Sequence, residues 1–429
     1  MRVRSVRPVS LELLVLAALA PAAAAQDAEK ESPSDALVAA DALQWQALAN
    51  ELFVSGERGI ADPGGLEPEA RHVARLGPVE LLPRLDEELV WDDNVFLTDR
   101  DPTDDLILRS RLGALADWPL SDGGHRLTAG YEMARHRYLG GEAQSFVEQL
   151  ASAQLELNFR RLRLTVGDRF EDRTDPILAV FTGKVERTIN TLYGVAGWHE
   201  ESSYLEAKAQ GVTTSYDDPA FQGFDRVERL AHAEVGWRGA DDCWTFVRAG
   251  VLDRSFDRTQ LNDMTGASAS AGIRLRRAPA LDASIRAGFR LERFDDVAAT
   301  DRRDRAINAD AEARAFWWPT RASGIDARYV HTTEFSPVSN YQRLDRAELG
   351  WTQMLTGRVR SRAGVGLEHV DPSAMQDRFW RYVVGAGLAW RALDFADVTL
   401  QWRMRVRATD VPNGDYVDQQ LSLGVAVRL

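Results

Sequence analysis

From about Leu85 to Leu429 the sequence alternates apolar and polar residues with a period of two, in segments about ten residues long. The stretch VTLQWRMRVRA at residues 398–408 shows this pattern most clearly. One face of the stretch carries Val398, Leu400, Trp402, Met404 and Val406. The other face carries Thr399, Gln401, Arg403, Arg405 and Arg407. Because successive side chains of a strand point to opposite faces, this strand is apolar on one side and strongly basic on the other.

Hydrocarbon outside and water inside would satisfy both faces at once. We count about eighteen such segments, each as long as a tilted membrane-spanning strand. Since lipid offers the backbone no hydrogen-bonding partners, spanning strands must pair all the way round and close. The pattern therefore predicts an all-β fold, a transmembrane antiparallel outer-membrane β-barrel of about 18 strands, with about 16 as the alternative count, and a short N-terminal helical segment.

The connections between these segments alternate in length. Short ones lie at 120–124, 198–202, 238–242, 355–357 and 391–395. Long ones lie at 97–105, 174–184, 215–225, 293–304 and 408–416. Short turns at one end and long loops at the other are typical of an outer-membrane barrel, and an even strand count places both chain ends on the periplasmic side.

Tryptophans recur on the apolar face near the strand ends that precede short turns. These residues are Trp118, Trp198, Trp237, Trp317, Trp351 and Trp390, and Phe159 takes the equivalent place in another strand. Amphipathic rings concentrate at a membrane interface, so the positions predict an aromatic girdle on the periplasmic side. A soluble β-sandwich, the structural alternative, explains neither the girdle nor the difference in loop length.

The N-terminal region differs from the rest of the chain. Residues 1–25 combine three arginines, a short apolar run and an alanine-rich end, which is typical of a cleaved signal peptide. Residues 26–80 are predicted to be a periplasmic segment, partly helical between Ser34 and Gly56, before a barrel at 81–429. Removal of the leader takes the formal net charge from −13 to −15, which argues against nucleic acid as a partner.

The chain ends in LSLGVAVRL, which alternates to its last residue. This end resembles the C-terminal strand that the barrel assembly machinery recognises, although such strands usually end in phenylalanine. The signal residues would be Leu421, Leu423, Val425, Val427 and Leu429.

Basic residues cluster on the faces predicted to line the lumen. They are Arg403, Arg405, Arg407, Arg358, Arg360, Arg362, Arg286, Arg290, Arg109 and Arg111. One interpretation is a pore lining that sets the field for anionic or sugar solutes, with the first two groups of three close together. The other is cross-strand pairing with acids, which include Asp310, Glu312, Glu368, Glu234 and Glu156.

No pattern in the sequence predicts an enzyme, a metal site or a cofactor. The seven histidines have no metal-ligand spacing, and none is placed with a serine and an acid in a way that indicates a nucleophile. Cys243 is the single cysteine and forms no internal disulfide. A hydrolase built on a barrel remains the least favoured class.

The stretch LVWDDNVFLTDRDPTDD resembles the opening of the beta-barrel porin type 2 family. Matching positions are Asp93, Asn94, Val95, Phe96, Asp104 and Asp105. The resemblance covers residues 80–429. It implies an outer-membrane barrel linked to exopolysaccharide or capsule systems, with polysaccharide or export components as partners beside lipid, lipopolysaccharide and the assembly machinery.

Two functions follow as hypotheses. The first is an outer-membrane channel, porin-like, that passes small polar or anionic solutes or helps to export polysaccharide. The second is a non-conducting barrel that acts as a scaffold for an envelope complex. Only about 55 residues lie between the leader and the barrel, too few for the plug of a larger outer-membrane transporter.

Overall fold

The computed structural model describes residues 74–428, apart from positions 100, 122, 142–144, 179–180, 241–242, 258–261, 278–280, 296–303, 321, 335, 337–339, 374–377 and 410–413. The predicted leader at 1–25, the predicted helix at 34–56 and the terminal Leu429 lie outside the described residues.

The described residues form strands almost throughout. A single 3-10 turn, Gln222–Phe224, interrupts them in the described part of the chain. The strands are β1 Ala74–Leu76, β2 Val79–Asp92, β3 Asp105–Pro119, β4 Arg126–Tyr138, β5 Phe146–Asn158, β6 Leu162–Leu178, β7 Phe181–His199, β8 Ser203–Tyr216, β9 Arg226–Ala240, β10 Cys243–Phe256, β11 Met264–Arg277, β12 Leu281–Phe294, β13 Arg305–Thr320, β14 Ser323–Glu334, β15 Gln342–Thr356, β16 Val359–Pro372, β17 Phe379–Leu393, β18 Ala396–Thr409 and β19 Tyr416–Arg428.

From β2 onward every strand pairs antiparallel with the next one along the chain, and β19 pairs with β2. This last pairing, which runs from Gln420 opposite Asp92 to Arg428 opposite Arg84, closes the sheet. The result is a barrel of 18 strands with β1 as a short hairpin partner of β2. The predicted fold class and the higher of the two strand counts are confirmed. The first strand of the closed sheet, β2, begins at Val79, and β1 lies before it at Ala74–Leu76. The predicted domain boundary at 81 stays a prediction.

The loops agree with the predicted alternation except at one place. In the segment 174–184, predicted as a long loop, residues 174–178 and 181–184 belong instead to the paired strands β6 and β7, which are the longest strands of the barrel. Its threonine, valine and phenylalanine content suits a strand, and the two strands remain paired as far as Leu178 opposite Phe181.

The outer face of the barrel is largely apolar and carries two aromatic rows. Trp118, Trp237, Trp317, Trp351 and Trp390 are exposed there, and Trp198 is half-exposed, all near the ends of their strands at the short turns. A second exposed row near the opposite ends includes Trp91 and Trp380. Trp380 and Trp390 are ten residues apart on β17. At about 3.3 Å per residue and a tilt of about 40°, they are separated by roughly 25 Å of height, the thickness of the apolar band of such barrels.

The apolar residues at the end of β19 also lie on the outer face of the barrel. Leu421, Leu423 and Val425 are exposed on the outer face of β19, where they lie opposite Trp91, Leu89 and Glu87 of β2. Val427 is half-buried. No helix within the described residues has the length and apolarity needed to cross a membrane.

Polar residues on the outer face occur beside one another. Ser110 donates to Glu87 at 2.7 Å, and Arg135 lies opposite Ser110 on the next strand. Arg229 pairs with Asp253 at 2.7 Å near the loops. Mutual pairing lowers the cost of placing such groups towards lipid.

The charged barrel interior as candidate functional site

The alternation of β18 places its arginines inside the barrel. Leu400 and Trp402 are exposed on the outer face, whereas Arg403 and Arg405 are half-buried and Arg407 is buried. The assignment of faces from the sequence therefore agrees with the structure.

Protein groups contact each of these three arginines. Arg405 donates from Nε and Nη2 to Asp418 Oδ2 at 2.6 and 2.5 Å. Arg403 donates to Gln420, one interior position further along the same neighbouring strand. The guanidinium of Arg407 lies 4.4 Å from the ring centroid of Phe379, a cation–π contact. The interior at β18 is a paired surface and not a row of isolated positive charges.

The predicted pair of Arg286 and Arg290 belongs to a larger network on β12–β14. Arg286 contacts Asp310 at 2.5 Å and Glu312 at 3.3 Å. Arg290 donates to the carbonyl oxygen of Thr333 at 2.8 Å and lies 3.7 Å from Asp310. Side chains of three consecutive strands, β12, β13 and β14, are thus joined in one network.

A second network continues on β15–β17. Arg346 donates from Nε and Nη2 to Glu368 Oε2 at 2.9 and 2.5 Å, and Arg381 approaches Glu368 Oε1 at 3.4 Å. Sequence reasoning selected Glu368 but missed Arg346 and Arg381. The alternation of the sequence places both arginines on the lumen face, but it does not give the strand register that brings them to Glu368.

We call this region the packed arc and define it by residues that the barrel almost completely excludes from solvent. Side-chain exposure is 5% for Arg290 and 3% for both Arg346 and Glu368. Its members are Arg290, Glu292, Asp310, Arg346, Glu368 and Arg381.

The loops above the packed arc also turn inward. Asn262, before β11, donates to Asn340, before β15, at 2.9 Å, and both side chains are buried. Phe294 and Tyr341 stack with ring centroids 5.8 Å apart. These contacts join the connection of β14–β15 to the connection of β10–β11 and to the end of β12.

The opposite wall is open to solvent. Arg109 pairs with Glu88 at 3.4 Å, and Arg111 contacts Glu132 at 3.3 Å and Asp86 at 3.5 Å. The side-chain exposure of Arg109 and Arg111 is 26% and 30%. We call Arg109, Arg111, Glu88 and Glu132 the solvated wall. Because β3 and β12 are nine places apart in a ring of 18 strands, the solvated wall lies across the lumen from the β12 end of the packed arc.

The predicted lining arginines Arg358, Arg360 and Arg362 lie at the short-turn end of β16. Arg360 and Arg362 are half-buried strand residues. The carboxylate of Asp326 interacts electrostatically with Arg362. Arg358 lies in the turn before β16, exposed, with Asp394 of the next turn at 3.6 Å.

The two groups of three arginines are offset along the barrel and do not form one ladder. Through the intervening strand β17, Arg407 is level with Glu368, whereas Arg362 is level with Gln401. Only Arg403, level with Gly364, comes within one interior position of Arg362. The offset follows from the register set by the short turn before β18, which the sequence pattern did not specify.

Interior rings pack on glycines along β8–β11. A Cβ on Gly236 would meet the ring of Tyr204 at 2.1 Å, and one on Gly272 would meet the ring of Phe246 at 2.4 Å. Tyr204 also donates to Glu234 at 2.6 Å. The glycines let these rings lie flat on the wall, which keeps the lumen wider at this level.

Asn94 organises the loop that joins β2 and β3. Its side-chain Nδ2 donates to the carbonyl oxygens of Thr98 and Val417, each at 2.8 Å, and its Oδ1 accepts from the backbone N–H of Thr98 at 2.9 Å. The residue is 1% exposed. Asn94, part of the motif that carried the family resemblance, therefore ties the loop to the last strand.

Asn94→Ala is expected to loosen this loop. Loss of the amide removes three partly buried hydrogen bonds to the backbone of Thr98 and Val417, at about 2 kcal/mol in total. Limited proteolysis of the folded barrel should then cut within residues 95–104 roughly 30-fold faster. Asn158→Ala is the control, because Asn158 donates to Gly124 in an exposed periplasmic turn. Equal cleavage of both variants would contradict the assignment.

An apolar outer face with aromatic rows, a charged interior and closure by first and last strands define a transmembrane β-barrel of the outer-membrane type. No protein-family profile matches the chain, and no curated protein matches it.

Solved structures with similar shape were found. OccK1 (OpdK) of Pseudomonas aeruginosa is 10% identical with a TM-score of 0.48, and the match covers 83% of this chain and 100% of that one. OccK11 (OpdR) of the same organism is 12% identical with a TM-score of 0.46, covering 81% and 96%. OccAB4 of Acinetobacter baumannii is 10% identical with a TM-score of 0.45, covering 83% and 99%. No residue role is transferred from them.

Proposed function

We propose that the protein is an outer-membrane channel, porin-like, that passes small polar or anionic solutes along the solvated wall. The observation that carries the proposal is the difference between the two sides of the lumen. Arg109 and Arg111 keep about a quarter to a third of their side-chain surface exposed, whereas Arg346 and Glu368 keep 3%. A barrel of this strand number is wide enough for an aqueous lumen.

The solvated wall also suggests how solutes would be selected. Arg109 and Arg111 present guanidinium groups to water and have acids at 3.3–3.5 Å. A wall with charges of both signs suits polar solutes that carry an anionic group. As such a solute passes, its anionic group can replace a carboxylate as the partner of an arginine. Selection of anionic solutes does not require a wide pore that is basic on all sides.

Planar-bilayer recording tests the channel directly. Purified full-length barrel should give single-channel current steps in potassium chloride at moderate voltage. The second candidate function, a non-conducting scaffold, is favoured by one observation, the burial of the packed arc and its inward loops. Absence of current steps at every voltage, with correctly folded protein, would establish that alternative against the channel.

Arg109→Gln combined with Arg111→Gln is expected to lower the anion-to-cation permeability ratio by on the order of twofold, because two water-exposed positive charges leave the path. The reversal potential in a salt gradient measures this ratio. Arg358→Gln is the control, since it removes one positive charge from an exposed turn outside the solvated wall. A reversal potential that is unchanged in the double variant would count against a path along the solvated wall.

The polysaccharide link is a narrower proposal that rests on the family resemblance alone. Outer-membrane location, lipopolysaccharide contacts and recognition of the C-terminal strand by the assembly machinery are likewise proposals. Sugar transferases encoded beside the gene would support the polysaccharide link, and uptake of small anions in its absence would oppose it. We propose no enzymatic activity.

A further inference from the structure

Three aspartates meet where the first and last barrel strands close. Asp92 ends β2, Asp93 follows it, and Asp418 lies on β19, each with a carboxylate oxygen within 4.8 Å of the others. Asp92 is 4% exposed and Asp418 0%, whereas Asp93 is half-buried. Like charges this close, and largely without water, repel one another unless a proton or a cation lies among them.

One oxygen of the cluster has no hydrogen-bond partner. Asp418 Oδ2 is taken by Arg405, at 2.6 and 2.5 Å. Asp418 Oδ1 is buried and accepts no hydrogen bond from the described residues. A buried carboxylate oxygen without a donor is costly, so this atom requires either a proton shared with Asp92, whose side chain lies within hydrogen-bonding distance of Asp418, or a cation.

Hydrogen bonds at the junction of β2 and β19, which we call the seam, hold the other two aspartates in position. Asp92 accepts the backbone N–H of Asn94 at 3.0 Å and Nε2 of Gln420 at 2.7 Å. Asp93 Oδ1 accepts the backbone N–H of Gln419 at 2.6 Å. These bonds fix both carboxylates beside Asp418 before any ligand arrives, which lowers the entropy cost of binding.

The local charge balance favours a divalent cation. Three carboxylates face one guanidinium that bonds to them directly, that of Arg405, while Arg403 donates to Gln420. A shared proton could join Asp92 and Asp418 but would leave Asp93 out. A cation engages all three, and the half-buried Asp93 gives it a way in from the loop side.

We propose that Asp92, Asp93 and Asp418 bind one hard divalent cation, Ca²⁺ or Mg²⁺, that fastens the seam of the barrel. The donors are all carboxylate oxygens, the ligands that these ions prefer, and water completes the shell. The absence of histidine and cysteine from the set disfavours Zn²⁺. The site is independent of whether the lumen conducts.

Titration calorimetry with Ca²⁺ on the full-length barrel in detergent, after removal of metal by a chelator, tests the site. About one equivalent should bind per chain, and Asp418→Asn and Asp93→Asn should each weaken binding by about tenfold or more. Asp99→Asn is the matched control, with the same charge change in the same loop connection. Asp93→Asn retains an oxygen for Gln419, which guards against a folding defect.

Heat-modifiability on gels gives the second measurement. Ca²⁺ should raise the unfolding temperature of the wild type and of Asp99→Asn, but not that of Asp418→Asn. Binding that is absent at millimolar Ca²⁺ and Mg²⁺, or equal in all variants, would overturn the proposal. Stability that follows pH and ignores both ions would overturn it too, in favour of a proton shared by Asp92 and Asp418.

Discussion

Replacing Glu368 with glutamine is expected to lower the free energy of unfolding by about 3–5 kcal/mol. Glu368 is the only acid in direct contact with both Arg346 and Arg381 among the described ion pairs, and it lies almost wholly away from solvent. Without its charge, both guanidinium groups stay buried beside a neutral amide, and Glu334 and Glu348 offset only part of the charge of Arg346. Denaturant unfolding in micelles, followed by tryptophan fluorescence, measures the loss.

Glu88→Gln is the matched control for this experiment. Glu88 pairs with Arg109 at 3.4 Å, but both side chains are 26% exposed, so water solvates the arginine that remains. A pair of this kind contributes about 0–1 kcal/mol. If the two glutamine variants lost equal stability, the burial of the packed arc would not govern its energetics.

A further variant separates pairing from packing. Arg346→Met, Glu368→Leu and Arg381→Met together remove the buried charges but keep most of the volume. Since both arginines are removed together with the acid that they share, the triple variant should recover most of the stability lost in Glu368→Gln. Failure to recover would indicate that the arc is held by hydrogen bonds to groups beyond these three.

The second large effect concerns the outer face. Ile285→Arg is expected to destabilise the inserted barrel by about 2–4 kcal/mol, because Ile285 is exposed near the middle of the apolar band. Leu281→Arg places the same charge on the same strand and face, but opposite Trp317 in the aromatic row. There the cost should fall to about 0–1 kcal/mol.

Unfolding of both variants from lipid vesicles measures this difference. A gap of about 2 kcal/mol between them is the expected result, since the cost of a charge depends on its depth. Equal costs would mean that Ile285 does not face hydrocarbon, which would contradict the placement of the apolar band between the two aromatic rows.

Period-two patterning was sufficient to predict which side of each strand faces lipid. Trp402 and Arg403 are neighbours in the sequence, and their faces follow from parity alone. The periplasmic aromatic row was predictable because its members precede short turns. The second row was missed because Trp91 and Trp380 stand beside long connections, where the strand ends are not marked in the sequence.

Pairing inside the lumen was not predictable in the same way. Arg346 and Glu368 are 22 residues apart, and their contact depends on the register between β15 and β16. A slip of one residue in a turn would move Arg346 to the outer face. The role of Asn94 is similar, since its contact with Val417 joins positions 323 residues apart. Single strands do not encode such distant partners.

The closing seam has a consequence for how the chain reaches its final state. Asp92 and Gln420 are bonded across 328 residues, so the edge of β2 from Arg84 to Asp92 has no permanent partner until β19 has been delivered. For that whole interval the edge can pair with another chain, which is the usual origin of aggregation in sheets. Completion of the barrel is therefore limited by the arrival of its last strand, and substitutions in LSLGVAVRL should reduce the yield of folded protein more than they reduce the stability of barrels already closed.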